Sequence, residues 1–294
     1  MTVISFSGTL EKFWTDTSQK INAELDRLLP APTDNPIRLH RAMRHAVMAG
    51  GKRIRPVIAV AAHKVLGGDD ERIYPLGAAL EMLHTFSLIH DDLPCMDDDD
   101  WRRGQPTVHV AFDEATAVLA GDALHATAFE ILATIATPEI IKEIAVAIGT
   151  TGMLGGQMAD IEAEGKTPTE ALVTGIHQRK TGFLFVASAK AGARLANASV
   201  ADLGAVESYA RPLGLAFQIV DDLLEITGDA ARIGKSTASD EKHGKVTYPG
   251  AVGIDAAREK AEALAEQAKA ALARLSGDTA ILAALADFIV CRDR

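Results

Sequence analysis

The sequence predicts an all-α protein, a bundle of antiparallel helices, and three observations carry that expectation. Apolar residues recur at helical spacing along most of the chain, and no stretch alternates apolar and polar residues as a half-buried strand would. The composition also suits helices, with alanine and leucine prominent and only 5% aromatic residues. Short polar or Gly/Pro breaks between the periodic segments imply antiparallel neighbours. No linker or internal repeat divides the 294 residues, so 1–294 is expected to form one domain.

The elements follow in order. Leu10 to Leu29 reads as the first helix, stopped by Pro30-Ala31-Pro32, where proline cannot continue the hydrogen-bond ladder. Leu39 to Ala49 comes next and breaks at Gly50-Gly51. Pro56 to Leu66, Tyr74 to His90 and Asp113 to Ile135 each keep helical period. So do Pro138 to Glu162, Thr169 to Leu195 and Ser199 to Thr227, each read as one helix. The tail, Asp255 to Val290, reads as two amphipathic helices separated near Gly277. Tyr74 to His90 is apolar nearly all round, with Glu81, His84 and His90 as the main exceptions, which places it at the bundle centre.

Charge narrows the function. A net charge of -10 argues against a nucleic-acid or anionic-membrane partner, either of which wants excess Lys and Arg. No apolar run is read as long enough for a membrane span, and Met1 to Thr17 shows no secretory signal. Two cysteines, Cys95 and Cys291, make no disulfide framework, so a cytoplasmic location is expected.

The unusual stretch is Asp91-Asp92-Leu93-Pro94-Cys95-Met96-Asp97-Asp98-Asp99-Asp100, which begins at the end of the most buried-looking helix. Six aspartates in ten residues repel one another unless positive charge lies between them. No glycine or closing glutamate stands where an EF-hand calcium loop needs it. A second cluster, Asp221-Asp222-Leu223-Leu224-Glu225, also follows an apolar run. Gln218, Asp221 and Glu225 share one helical face. Pro94 forbids helical spacing between Asp91 and Asp97, so the chain must turn to join them. Oxygen-only ligands favour a hard cation such as magnesium, which suits substrates bearing their own phosphates. Cations are at hand in Lys52, Arg55, Arg102, Arg103, Lys180, Lys235 and Lys245.

These motifs resemble the trans-isoprenyl diphosphate synthases, or polyprenyl synthetases, over most of the chain. Asp91-Asp92-x4-Asp97 followed by Arg102-Arg103-Gly104 is most similar to the bacterial farnesyl diphosphate synthases, and Gly121-Asp122, Gly156-Gln157 and Phe217-Gln218 match in order. The resemblance implies an all-α bundle around a deep central cavity, a homodimer, and isoprenoid diphosphates as substrates. It implies that Asp91 and Asp97 ligate magnesium from one wall, supported by Asp92, and Asp221 from the other. It assigns Lys52, Arg55, His84 and Arg103 to isopentenyl diphosphate, and Arg102, Lys180, Lys235 and Lys245 to the allylic diphosphate. Thr181 and Gln218 match positions around the forming allylic cation, and Phe86 matches the residue that limits chain length. The expected product is farnesyl diphosphate, with a geranylgeranyl or other-length synthase as the alternative. Two residues depart from the family pattern: Glu225 stands where aspartate is usual, and Trp101 where leucine is usual.

Other functions fit less well. A class I terpene cyclase leaves Lys52, Arg55 and His84 without a role, and a non-catalytic synthase subunit has no need of both acidic clusters. A di-iron bundle needs two Glu-x-x-His pairs, whereas only Glu81 with His84 is found.

Overall fold

The computed structural model describes residues 8–227 and 244–292, and among them the backbone is almost wholly helical. In chain order the helices are α1 (Gly8–Leu28), α2 (Ile37–Met48), α3 (Ile54–Val65), α4 (Ile73–Asp91), α5 (Val108–Ala111), α6 (Glu114–Ile135) and α7 (Pro138–Ile148). They continue with α8 (Met153–Ala163), α9 (Glu170–His177), α10 (Phe183–Leu195), α11 (Val200–Thr227), α12 (Tyr248–Val252), α13 (Ile254–Ala271) and α14 (Ala280–Cys291). The all-α expectation holds.

Four local expectations need correction. Pro138 to Glu162 is two helices, because Gly149 ends α7 in extended backbone and Gly152 is again non-helical before α8. Thr169 to Leu195 is interrupted by a π-helical turn, Gln178–Gly182, between α9 and α10. A small antiparallel hairpin, β1 (Trp101–Arg102) with β2 (Gln105–Pro106), also forms, on strands too short for any periodicity to reveal. Finally, α6 is long and apolar enough by composition to span a membrane, contrary to the sequence reading. Asp122, His125 and Glu130 interrupt its apolar run in the sequence without lowering its mean hydropathy enough to exclude it.

Two apolar clusters make the core, and α3 and α10 feed both. Val57, Ile58, Phe185 and Ala189 face the cluster built with α11, α13 and α14. Ala59, Val60, Leu184 and Ala191 face the cluster built with α4, α6 and α7. This central pair is thus buried on opposite faces, as its apolar composition requires. Helix α4 is buried along nearly its whole length and packs on α1, α3 and α6. Between α4 and α11 lies a cavity of about 1870 Å³, lined also by α1, α8, the π turn and α14.

Candidate active site

Asp91 is the last residue of α4 and Asp92 caps it. Carboxylates at a helix C-terminus face the negative end of its dipole, so both need positive partners. The loop supplies the turn that Pro94 demands. The Asp97 amide donates to the Asp91 carbonyl at 2.8 Å, Asp98 donates to Leu93 at 3.1 Å, and Asp98 takes a left-handed φ of 50°. Asp91 and Asp97 are thereby brought together. Burial, reinforced by Asp97, raises the Asp91 carboxyl above its ordinary range, while Lys180, Arg102 and Lys245 pull it down. Lys245 Nζ lies 3.0 Å from Asp97. Asp92 turns away from this pair, and its carboxylate takes Arg102 Nε at 2.6 Å.

The π turn positions the opposite cation. One extra residue per turn swings the side chains out of α-helical register. Lys180 and Thr181 both line the cavity there. Gly156 makes this possible: a Cβ on it would stand 2.3 Å from the Lys180 backbone nitrogen. Lys180 Nζ meets Asp160 at 2.8 Å. Burial opposes its charge, but Asp160, Asp91 and Asp97 outweigh that and hold its pKa above the ordinary lysine value.

On α11 the second cluster divides its work. Asp222 is buried, and one of its oxygens accepts both the Tyr248 amide at 2.8 Å and His177 Nε2, 2.9 Å away. Gln218 Nε2 donates to the other oxygen at 3.4 Å, while Gln218 Oε1 accepts from Thr181 at 2.8 Å. Gln218 therefore works with Asp222, one turn on, although it also shares a face with Asp221. Asp221 instead meets Arg292, at 2.8 Å. Arg292 is buried, stacks 3.9 Å from the Phe217 ring centroid, and donates to the Phe217 carbonyl at 2.6 Å. Glu225 lines the same cavity one turn beyond Asp221.

A second group of cations gathers around α3 and α4. Lys52 lies over Phe217, 5.9 Å from its centroid, and Arg55 over Phe185 at 5.2 Å. Burial draws Arg55 down to about 10, and its Nε has no protein partner. Arg103 donates to the Gly50 carbonyl and lies 3.7 Å from Glu81. Gly51, at φ 129°, leaves it room: a Cβ there would be 2.5 Å from the Arg103 guanidinium carbon. His84 is pushed well below the ordinary imidazole range by burial and by Arg55, Arg103, Arg102 and Arg53, so it is neutral at physiological pH.

Sequence reasoning missed several of these residues. Glu81 was legible as a polar exception on an apolar helix, and it pairs with Arg53 at 2.8 Å with both side chains 2% exposed. Nothing in the pattern singled out Asp160, His177 or Arg292. Trp101 is exposed on the hairpin and takes no part in the core. Lys235 lies outside the described residues.

The donor chemistry fits a hard divalent cation. Asp91, Asp97 and Asp221 offer only carboxylate oxygens, and among the described residues no three acidic, histidine or cysteine side chains form a closed cage. Magnesium held by few carboxylates and completed by phosphate oxygens needs no such cage.

Comparison with known proteins yields consistent matches. The polyprenyl synthetase family model covers residues 36–282. The chain is 40% identical to farnesyl diphosphate synthase of Bacillus subtilis, over 98% of this chain and 99% of that one. It is 43% identical to geranylgeranyl diphosphate synthase of Cyanophora paradoxa, over 89% and 90%. The crystal structure of a geranyltransferase from Helicobacter pylori, complexed with magnesium and isoprenyl diphosphate, superposes with a TM-score of 0.82 at 29% identity, covering 98% and 97%.

Proposed function

The chain belongs to the polyprenyl synthetase family, a family of prenyltransferases, and from that premise we propose that it is a magnesium-dependent farnesyl diphosphate synthase. It would join dimethylallyl and then geranyl diphosphate to isopentenyl diphosphate, releasing diphosphate each time. One observation carries this reading. A single cavity is lined by both acidic clusters, by two sets of cations and by the buried Phe86.

Asp91, Asp97 and Asp221 are the residues that would hold magnesium. When bound, the metal neutralises the charge that builds on the leaving diphosphate. Lys180, Lys245 and Arg102 add fixed positive charge around that group, as does Lys235 by resemblance. Arg102 is ready-oriented by Asp92, and Lys180 by Asp160. As the allylic carbon–oxygen bond breaks, the Thr181 hydroxyl and Gln218 carbonyl turn their oxygen dipoles toward the developing cation. Lys52, Arg55 and Arg103 hold the diphosphate of isopentenyl diphosphate, and neutral His84 hydrogen-bonds it without adding charge. The isopentenyl double bond then attacks the allylic carbon, and a proton passes to the departed diphosphate. Fixing both substrates in register supplies much of the rate.

We further read residues 1–294 as one domain, the chain as cytoplasmic, and the assembly as a homodimer. Both cysteines are free thiols, which suits a reducing compartment. Val118 and Leu119 of α6, with Leu154 and Met158 of α8, are exposed apolar side chains that a second copy would cover.

Phe86 supports the fifteen-carbon product, since it is 5% exposed and lines the cavity on the buried helix that leads to Asp91. The competing reading, a twenty-carbon product, is favoured by the likeness to the Cyanophora enzyme. Incubation with labelled isopentenyl diphosphate and each allylic starter, with product length read by chromatography, decides between them. In the same assay Phe86→Ala is expected to shift products to twenty carbons or longer. Folding is to be checked by circular dichroism, because truncating a buried Phe costs about 3–5 kcal/mol. Glu225→Asp is expected to change kcat only a few-fold, because Glu225 lies one turn behind Asp221 on the same face. A large gain in rate would mean that the natural glutamate is a catalytic defect.

A further inference from the structure

We propose that Trp14 is a positioning residue for Lys52, holding it from α1 so that its ammonium meets the diphosphate of isopentenyl diphosphate. The proposal rests on the reading of Lys52 as a ligand of that diphosphate. Lys52 lies in the short segment between α2 and α3, where no regular helix supports the backbone. Gly50, Gly51 and Arg53 all take positive φ there, at 95°, 129° and 51°. A non-glycine residue at such an angle persists only where its surroundings over-determine it. Contacts from outside the segment supply that restraint. Arg103 donates to the Gly50 carbonyl, and Arg53 Nε donates to the Asn22 side-chain oxygen at 2.9 Å. Trp14 Nε1 donates to the Lys52 carbonyl at 2.8 Å.

The indole acts on the peptide of Lys52 itself. Its N–H can donate but not accept, so a carbonyl is the partner that suits it when buried. The angle of the ring is set from a further element: Phe288 of α14 meets Trp14 edge-on, with centroids 5.1 Å apart and planes 80° to one another. Both rings are buried and both line the cavity. The Lys52 side chain then runs over Phe217 of α11, 5.9 Å from its centroid. Fixing the carbonyl therefore fixes where that side chain sets out toward the site, and a small misplacement of a substrate-holding group is costly. Trp14 and Phe288 lie on either side of residues 36–282, the part of the chain that defines its family. Two helices that flank the matched region thus hold a loop inside it.

The test compares the parent enzyme with Trp14→Phe, Lys52→Ala and the double variant, each purified and checked for folding by circular dichroism. Trp14→Phe keeps an aromatic ring beside Phe288 and removes the N–H donor. Steady-state kinetics are expected to show KM for isopentenyl diphosphate raised about 3- to 10-fold, the scale of one hydrogen bond. In the same variant kcat and KM for geranyl diphosphate should stay within about twofold of the parent, the mark of a local effect on one substrate site. In the Lys52→Ala background, Trp14→Phe should change KM little, because the indole acts through Lys52. If Trp14→Phe does not fold, Phe288→Leu, which loosens the indole without removing it, is read in the same way. A parent-like KM in Trp14→Phe, or an undiminished effect in the Lys52→Ala background, overturns the role of Trp14. So does an equal loss toward both substrates, which marks a general loosening of the site. An unchanged KM for isopentenyl diphosphate in Lys52→Ala overturns the reading of Lys52 itself, a result distinct from the others.

Discussion

Replacing Asp91 by alanine is expected to lower kcat about a thousandfold or more, the scale of several kcal/mol of lost transition-state stabilisation. Asp91 sits at the negative end of α4, and burial together with Asp97 makes its charge costly. That cost is tolerated because the carboxylate is to meet a cation and, through it, a diphosphate. The variant keeps Lys52, Arg55 and Arg103, so KM for isopentenyl diphosphate should change far less than kcat. Asp221→Ala should behave similarly, although it also strips Arg292 of its carboxylate partner. Chelation of divalent ions should abolish activity in the parent enzyme, with magnesium restoring it. Steady-state kinetics with both substrates check all of these outcomes. Full activity in either variant would defeat the assignment of metal to opposite walls.

The largest effect on stability is expected at Glu81. Its carboxylate lies 2.8 Å from Arg53, both side chains are 2% exposed, and Arg53 also donates to Asn22 and the Val47 carbonyl. Glu81→Ala leaves a buried guanidinium without its counter-charge, which typically costs about 3–5 kcal/mol. For a chain of this size that is a fall in Tm of roughly 10 °C, measurable by thermal unfolding. Glu81→Gln keeps an acceptor for Arg53 and should lose less. A kinetic effect should accompany the structural one, since Glu81 also neighbours Arg103. KM for isopentenyl diphosphate should rise more than KM for the allylic substrate. An unchanged Tm in Glu81→Ala would overturn the assignment of Glu81 as the counter-charge that Arg53 needs when buried.

The candidate site was partly legible because some of its signals are local. Six aspartates at the end of an apolar helix, and an Asp-Asp pair after another, are unusual whatever the fold. The cations flanking them were equally plain as residue types. Their partners were not. Arg102 belongs to Asp92, Lys180 to Asp160, and Asp222 to His177 and Tyr248, pairings made across turns and between separate elements.

By itself the sequence determined the all-α class, most helix spans, the buried character of α4 and the two acidic clusters. Those properties follow from periodicity and composition within one or a few turns, where i, i+3 and i+4 neighbours are set by helix geometry alone. It also implied that Pro94 must force a turn between Asp91 and Asp97. Only the tertiary structure decided how that turn closes, through the Asp97 amide on the Asp91 carbonyl, and which carboxylate each cation meets. It alone brought Arg292 of α14's C-terminal cap onto Asp221, and His125 of α6 against Phe86 of α4. The reason is physical: a side chain's partner depends on the packing angle and axial register of two helices, and these are settled by the whole core rather than by either segment.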